Sequence, residues 1–274
     1  MIYDSDEWLL PYKDVIDRRH KMIMDLKDRF SVDGSLSKGI NNHNYYGMHR
    51  DEKGNWIFRE FAPNANKIYL IGDFNNWKRA EAYALKPVGG GNWEIVLSPM
   101  FLDHCSLYKL YIEWPGGGAE RLPAYVTRTV QDPHTKTFCA QVWDPKPYEW
   151  KHGKPGKRQH PLIYECHIGM AAEEEKVGTF EEFRLNVLPK IADLGYDTIQ
   201  IMALQEHPYY GSFGYQVSNF FAASSWFGEP EDLQYLVNRA HSMGLRVLLD
   251  LVPGHTSEEH PWFRESQKAE KNEY

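Results

Sequence analysis

Glu206, His207, Tyr209, Tyr210, Tyr215 and Asn219 fall in one short stretch, with Gly211 and Gly214 as pivots. Carboxyl, imidazole and amide groups can grip sugar hydroxyls, and tyrosine rings suit the apolar faces of a pyranose. The stretch opens as an apolar run, Thr198 to Leu204, of the length and β-branched start expected of a buried strand. A strand that empties into such a loop fits the sugar-binding rim of a parallel α/β barrel, where ligands sit at the carboxyl ends of strands. An ordinary loop with core tyrosines fits the same residues.

Two further apolar runs end the same way. Leu162 to His167 closes on Glu165 and His167, and Arg246 to Val252 carries Asp250 and leads to His255. Between these strands lie helical patterns. Thr179 and Glu182 have the spacing of a capping box, in which hydroxyl and carboxyl each satisfy an orphan amide. Phe183, Val187, Leu188, Ile191 and Leu194 form the stripe behind it. Pro189 should kink or interrupt that helix, and Gly195 ends it. Pro230 opens a second helix, which stops at Gly244. Strand, helix, strand, helix, strand predicts parallel pairing.

Upstream the period is two. Ile57 to Ala62, Lys67 to Ile71, Trp93 to Leu97 and Tyr108 to Trp114 read as short strands joined by turns, the pattern of an antiparallel sandwich. Gly72-Asp73-Phe74-Asn75-Asn76-Trp77 places a Trp at the end of a turn built by Asp and Asn side chains. Trp77 can bind a ligand there or merely staple the sandwich. Residues 31–54 read as loop, with His43 and His49 solvated or locally bonded. Val15, Ile16, Ile23, Leu26 and Phe30 mark an N-terminal helix with one face to dock. Pro145 to Pro161 is rich in Pro, Gly and basic residues and reads as a linker. The expected organisation is a helical segment (1–35), a β-sandwich (36–145), a linker (146–161) and the start of an α/β barrel (162–274).

The totals constrain partners. A net charge of −7 argues against nucleic acid, which demands a basic face. No apolar run approaches the roughly 20 residues of a membrane span. Cys105, Cys139 and Cys166 lack metal-type spacing and read as free buried thiols, which fits a cytoplasmic location. No nucleotide or flavin loop and no metal cluster is evident, so no cofactor is expected.

Residues 162–255 resemble the start of the catalytic barrel in the α-amylase superfamily of glycoside hydrolases and transglycosylases, with glycogen branching enzymes nearest. Ile163 to Met170 is similar to the first barrel strand, Val177 to Phe180 and Val187 to Pro189 to the first helix, and Met202 to Tyr215 is nearly a signature of the branching group. The segment carrying Gly72 to Trp77 resembles the glucan-binding sandwich of that family, and Trp8 to Tyr12 its N-terminal helix. The resemblance implies an α-glucan as partner, such as glycogen, starch or amylose, and assigns substrate contacts to Tyr215, His255, Asp250, Tyr210, His207 and Trp77. Tyr215 would stack on the sugar before the cleaved bond, His255 would bond its hydroxyl, and Asp250 would hold the charge network. The implied reaction is α-1,4 cleavage and α-1,6 formation by a retaining mechanism.

Pro253 and Gly254 stand where branching enzymes typically carry His and Ser, and here the sequence looks more like amylase or α-glucosidase relatives. An amylase-type hydrolase therefore remains an alternative, and the catalytic carboxylates missing from this stretch leave a noncatalytic glucan-binding protein as another. Residues 162–274 fall well short of the roughly 250 of a whole barrel. The nucleophile and acid/base of the family are expected outside this chain, which should be inactive by itself. Its open sheet edge should make it aggregation-prone or seek a partner.

Overall fold

The computed structural model describes residues 1–268 and 272–274. The chain divides into two compact units, Met1–Tyr45 and Tyr46–Tyr274. In the first, Asp6 caps a 3-10 turn by accepting from the Trp8 amide at 3.0 Å. Helix α1 (Lys13–Phe30) comes next. Within its apolar stripe Val15 and Ile16 are half-buried, and Ile23, Leu26 and Phe30 are exposed. The short helix α2 (Leu36–Gly39) lies in the stretch read as loop.

The second unit opens with two sheets that share one core. Strands β1 (Gly47–Arg50), β2 (Trp56–Phe61), β3 (Lys67–Gly72), β4 (Lys86–Gly89), β5 (Asn92–Leu97), β6 (Leu107–Trp114), β7 (Gly117–Arg121), β8 (Thr129–Gln131) and β9 (Phe138–Gln141) pair antiparallel. The orders are β1-β2-β5-β4 and β3-β6-β9-β8, with β7 on β6. Trp56, Phe58, Trp93 and Ile95 from one sheet meet Ile68, Leu70, Leu110 and Ile112 from the other. Alternation predicts four of these strands. It misses β1, β4 and β7 to β9, which are short, glycine-bearing or set by partners distant in sequence.

The alternation in β2 carries one charged residue inward. Glu60 follows Trp56 and Phe58 on the core face and is buried. Burial pushes its carboxyl up to about 7, against the amides of Phe61 and Ala124, which lower it. The fold thus favours protonated Glu60. Its stabilising contribution is complete below the ordinary carboxyl pKa and is lost as pH rises through 7. Glu60→Gln should therefore stabilise the protein by about 2–3 kcal/mol at pH 8 and be near neutral at pH 4. Urea unfolding at both pH values checks this, and equal effects at the two would contradict it.

Beyond residue 145 the chain is extended and irregular but not free. Asn238 Oδ1 accepts from the amides of Lys151 and His152, and Arg246 donates to the Pro155 carbonyl. The expected linker is thus a strap docked on the α/β part of the chain. In that part, β10 (Ile163–Cys166), β11 (Thr198–Ile201) and β14 (Arg246–Leu249) form a parallel sheet in the order β10-β11-β14.

The Thr179–Glu182 capping box forms, at 3.2 and 3.0 Å, and starts α3 (Phe180–Glu182). A π turn (Phe183–Val187) then leads into α4 (Leu188–Asp193). Pro189 has no amide hydrogen to donate, and Leu188 bonds back to Phe183 O instead, so the helix survives with a bulge. Strands β12 (Gln205–Glu206) and β13 (Asn219–Ala223) make a small antiparallel pair, α5 (Pro230–Ser242) precedes β14, and α6 (Pro261–Ser266) comes after it. The predicted strands over Thr198–Leu204 and Arg246–Val252 end early, at Ile201 and Leu249. Among the cysteines, Cys166 is buried and its thiol is pushed up to about 12 by burial, whereas Cys105 is exposed, contrary to expectation.

Candidate sugar-binding site at the strand ends

The register brings Cys166, Ile201 and Leu249 level. The next residues, His167, Met202 and Asp250, therefore leave the sheet together. Asp250 is fixed from both sides: its Oδ1 accepts from Gln200 Nε2 at 2.9 Å, and its Oδ2 accepts from the Tyr215 hydroxyl at 2.7 Å. Burial first, and then this bond, push the Tyr215 phenol up to about 12, so it stays a donor. Gln200, which holds Asp250 here, is a residue that the sequence reading missed. Its signal is a lone amide inside an apolar strand.

The loop reaches this geometry through Gly214, at φ +87°. A Cβ there would lie 2.2 Å from the Ala203 carbonyl, so no other residue fits. Tyr215 is half-buried, with a ring packed beside Ala203, Val217 and Val252. Val217 N donates to the His255 carbonyl at 3.2 Å, which ties the loop after β14 to the loop carrying Tyr215. The His255 side chain is exposed. Tyr215 and Asp250 thus meet directly, whereas His255 is tied to the Tyr215 loop through its backbone carbonyl.

The other assigned residues do not join them directly. His207 is 0% exposed: its Nδ1 bonds the Gln205 carbonyl at 3.0 Å, and its ring packs near Phe227. Tyr210 packs edge-on to His167 and against Trp226, with its hydroxyl over Gly169. Both hold the loop from behind, and a buried imidazole meets no ligand in this conformation. Trp77 lies in the sandwich turn, 36% exposed, with Nε1 donating to Asp73 at 3.1 Å. Asp73 Oδ2 accepts from Leu107 N, so the turn is anchored to β6. Trp77 thus belongs to the sandwich and not to the strand-end cluster.

Glu206 is not a ligand-facing carboxyl. It is fully buried, and its oxygens accept from Thr129 Oγ1, Ser224 Oγ, Ser225 N and His207 N at 2.9–3.1 Å. Thr129 lies on β8, so this carboxyl joins the sandwich to the strand-end loops. Among the described residues, no group of three or more His, Cys, Asp or Glu could hold a metal ion, and no helix is long and apolar enough to cross a membrane.

Residues 45–134 match the family model for carbohydrate-binding module 48 (isoamylase N-terminal domain), and residues 184–274 that for the alpha amylase catalytic domain. Proteins named 1,4-alpha-glucan-branching enzyme from Emericella nidulans and Saccharomyces cerevisiae are 42% and 40% identical over 93% of this chain. The chain spans 39–40% of their length. Two solved structures share its fold. A putative alpha amylase from Salmonella typhimurium has a TM-score of 0.63 at 23% identity, over 75% of this chain and 32% of that one. The catalytic module of the glycogen-degrading pneumococcal virulence factor SpuA scores 0.61 at 22% identity, over 83% of this chain and 38% of that one. Over most of its length, then, this chain is similar to 1,4-alpha-glucan-branching enzymes, with a carbohydrate-binding-module match followed by an alpha-amylase catalytic-domain match.

Proposed function

We propose that this chain forms the substrate-gripping portion of a 1,4-α-glucan branching transglycosylase of the glycoside-hydrolase type. The observation that carries the reading is the Tyr215–Asp250 bond, which sets a phenol ring beside the His255 loop at the ends of a parallel sheet. The β10-β11-β14 arc is read as the first part of an α/β barrel, and the sandwich before residue 145 as its glucan-binding module. The ligand is an α-glucan and the setting the cytoplasm.

Tyr215 stacks on a glucosyl ring, His255 bonds a hydroxyl, and Asp250, held by Gln200, keeps the phenol in place. Contacts that fit the flattened, positive transition state better than the relaxed sugar favour bond cleavage. Retaining chemistry uses two carboxyl groups about 5 Å apart that flank one bond. Glu206 is sealed off by its four donors, and both Asp250 oxygens are engaged, so neither is assigned as nucleophile or acid/base.

A protein that carries this chain within the length of its relatives is expected to reduce the iodine staining of amylose while forming new α-1,6 linkages. Pro253 and Gly254, both exposed after β14, favour a second reading as an amylase-type hydrolase. New reducing ends without branches would select that reading.

A further inference from the structure

The docked strap creates a feature remote in sequence from the strand-end loops. Tyr148 packs edge-to-face against Trp150, with centroids 4.8 Å apart, and against Tyr235 of α5, at 5.4 Å. Trp150 also lies near His241, at 6.5 Å and 36°. Tyr148 is partly buried, and the strap is also held by the backbone bonds to Asn238 and Arg246. Trp150 and Tyr235 nonetheless remain 53% and 52% exposed. Glu231, Tyr235 and Asn238 recur on one face of α5 and, with Pro147, Tyr148 and Lys151, line a cleft of about 380 Å³. Lys146 and Lys151 balance Glu149 and Glu231 around it.

Two half-exposed rings beside a charge-balanced polar cleft suit an uncharged, hydroxyl-rich chain with apolar faces. A polyanion would need net positive charge, and a peptide helix would need a continuous apolar groove. We infer that Trp150 and Tyr235, with Tyr148 between them, form a second binding platform for an α-1,4-linked glucan, separate from the strand-end cluster. The polymer's identity rests on the function proposed above; the platform rests on the rings and the cleft. Held there, a glucan chain stays near the protein without occupying the Tyr215 site.

The test is native electrophoresis, through gels containing amylopectin, of a protein that carries this chain within the length of its relatives, with maltoheptaose titration followed by tryptophan fluorescence. The protein is expected to be retarded, and Trp150→Ala or Tyr235→Ala to raise the apparent Kd about two- to tenfold each. Trp150 is exposed, so its variant's thermal melt should stay unchanged, whereas Tyr235→Ala also removes the ring that Tyr148 packs on and should lower the melt slightly. Trp77→Ala and Tyr215→Ala serve as comparators. Retardation of the Trp150→Ala/Tyr235→Ala double variant equal to wild type would overturn the platform while leaving the proposed function standing. A wild-type protein that is neither retarded nor titrated would overturn both. Equal affinity for cellohexaose would overturn the assignment to an α-linked glucan.

Discussion

Replacing Glu206 by alanine is expected to lower the unfolding free energy by about 3–5 kcal/mol. The reason is the number of donors that converge on one carboxyl group. Oε1 accepts from Ser224 Oγ and His207 N, and Oε2 from Thr129 Oγ1 and Ser225 N. Alanine leaves these groups unpaired in a site that water does not reach, and two of them are backbone amides that cannot rotate away. Glutamine should not rescue the site. Whichever oxygen the amide nitrogen replaces, it then faces a backbone N–H, donor against donor, at a cost of about 1–3 kcal/mol. Thr129→Val should cost only about 1 kcal/mol, since it removes a single donor. Urea unfolding at constant pH gives all three values. A Glu206→Ala loss below about 1 kcal/mol would show that the carboxyl does not hold the sandwich and the strand-end loops together.

Tyr215→Ala should have the largest effect on sugar recognition, raising the Kd for maltoheptaose about tenfold or more at the strand-end site. On the proposed function the ring supplies the stacking face, and its hydroxyl holds the loop to Asp250 at 2.7 Å. Tyr215→Phe separates the two contributions. It keeps the face and loses the bond, so the loss should be about two- to fivefold. Gln200→Leu removes the other donor to Asp250 and should weaken binding by a similar amount without touching the sugar, which makes Gln200 a positioning residue. Equal affinities for Tyr215→Ala and Tyr215→Phe would mean that the ring does no stacking.

The parts written locally in the sequence are the parts that folded as expected. A capping box needs only Thr179 and Glu182, a proline within a helical stripe disturbs the helix locally, and apolar runs such as Ile163–Cys166 announce strands. The site was legible as a set of residue types at strand ends. Their division of labour was not. Glu206 and His207 read as loop polars but are buried, because β12 pairs with β13 and the carboxyl meets Thr129 on β8. That pairing has no period in the sequence, and its one trace is the run of short polar residues at Ser224 and Ser225. The Tyr215–Asp250 contact depends on the parallel register of β11 and β14, which residue types cannot specify. The strap from Pro145 to Pro161 has a linker's composition, and only the face of α5 that it covers shows that it docks.

The most direct test is a crystal structure with a bound malto-oligosaccharide, obtained with a protein that carries this chain. The account predicts a glucosyl ring lying flat on Tyr215, at about 4 Å, with one of its hydroxyls within hydrogen-bond reach of the His255 imidazole. A sugar bound with the Tyr215 ring bare, or Tyr215 and His255 facing different cavities, would contradict it.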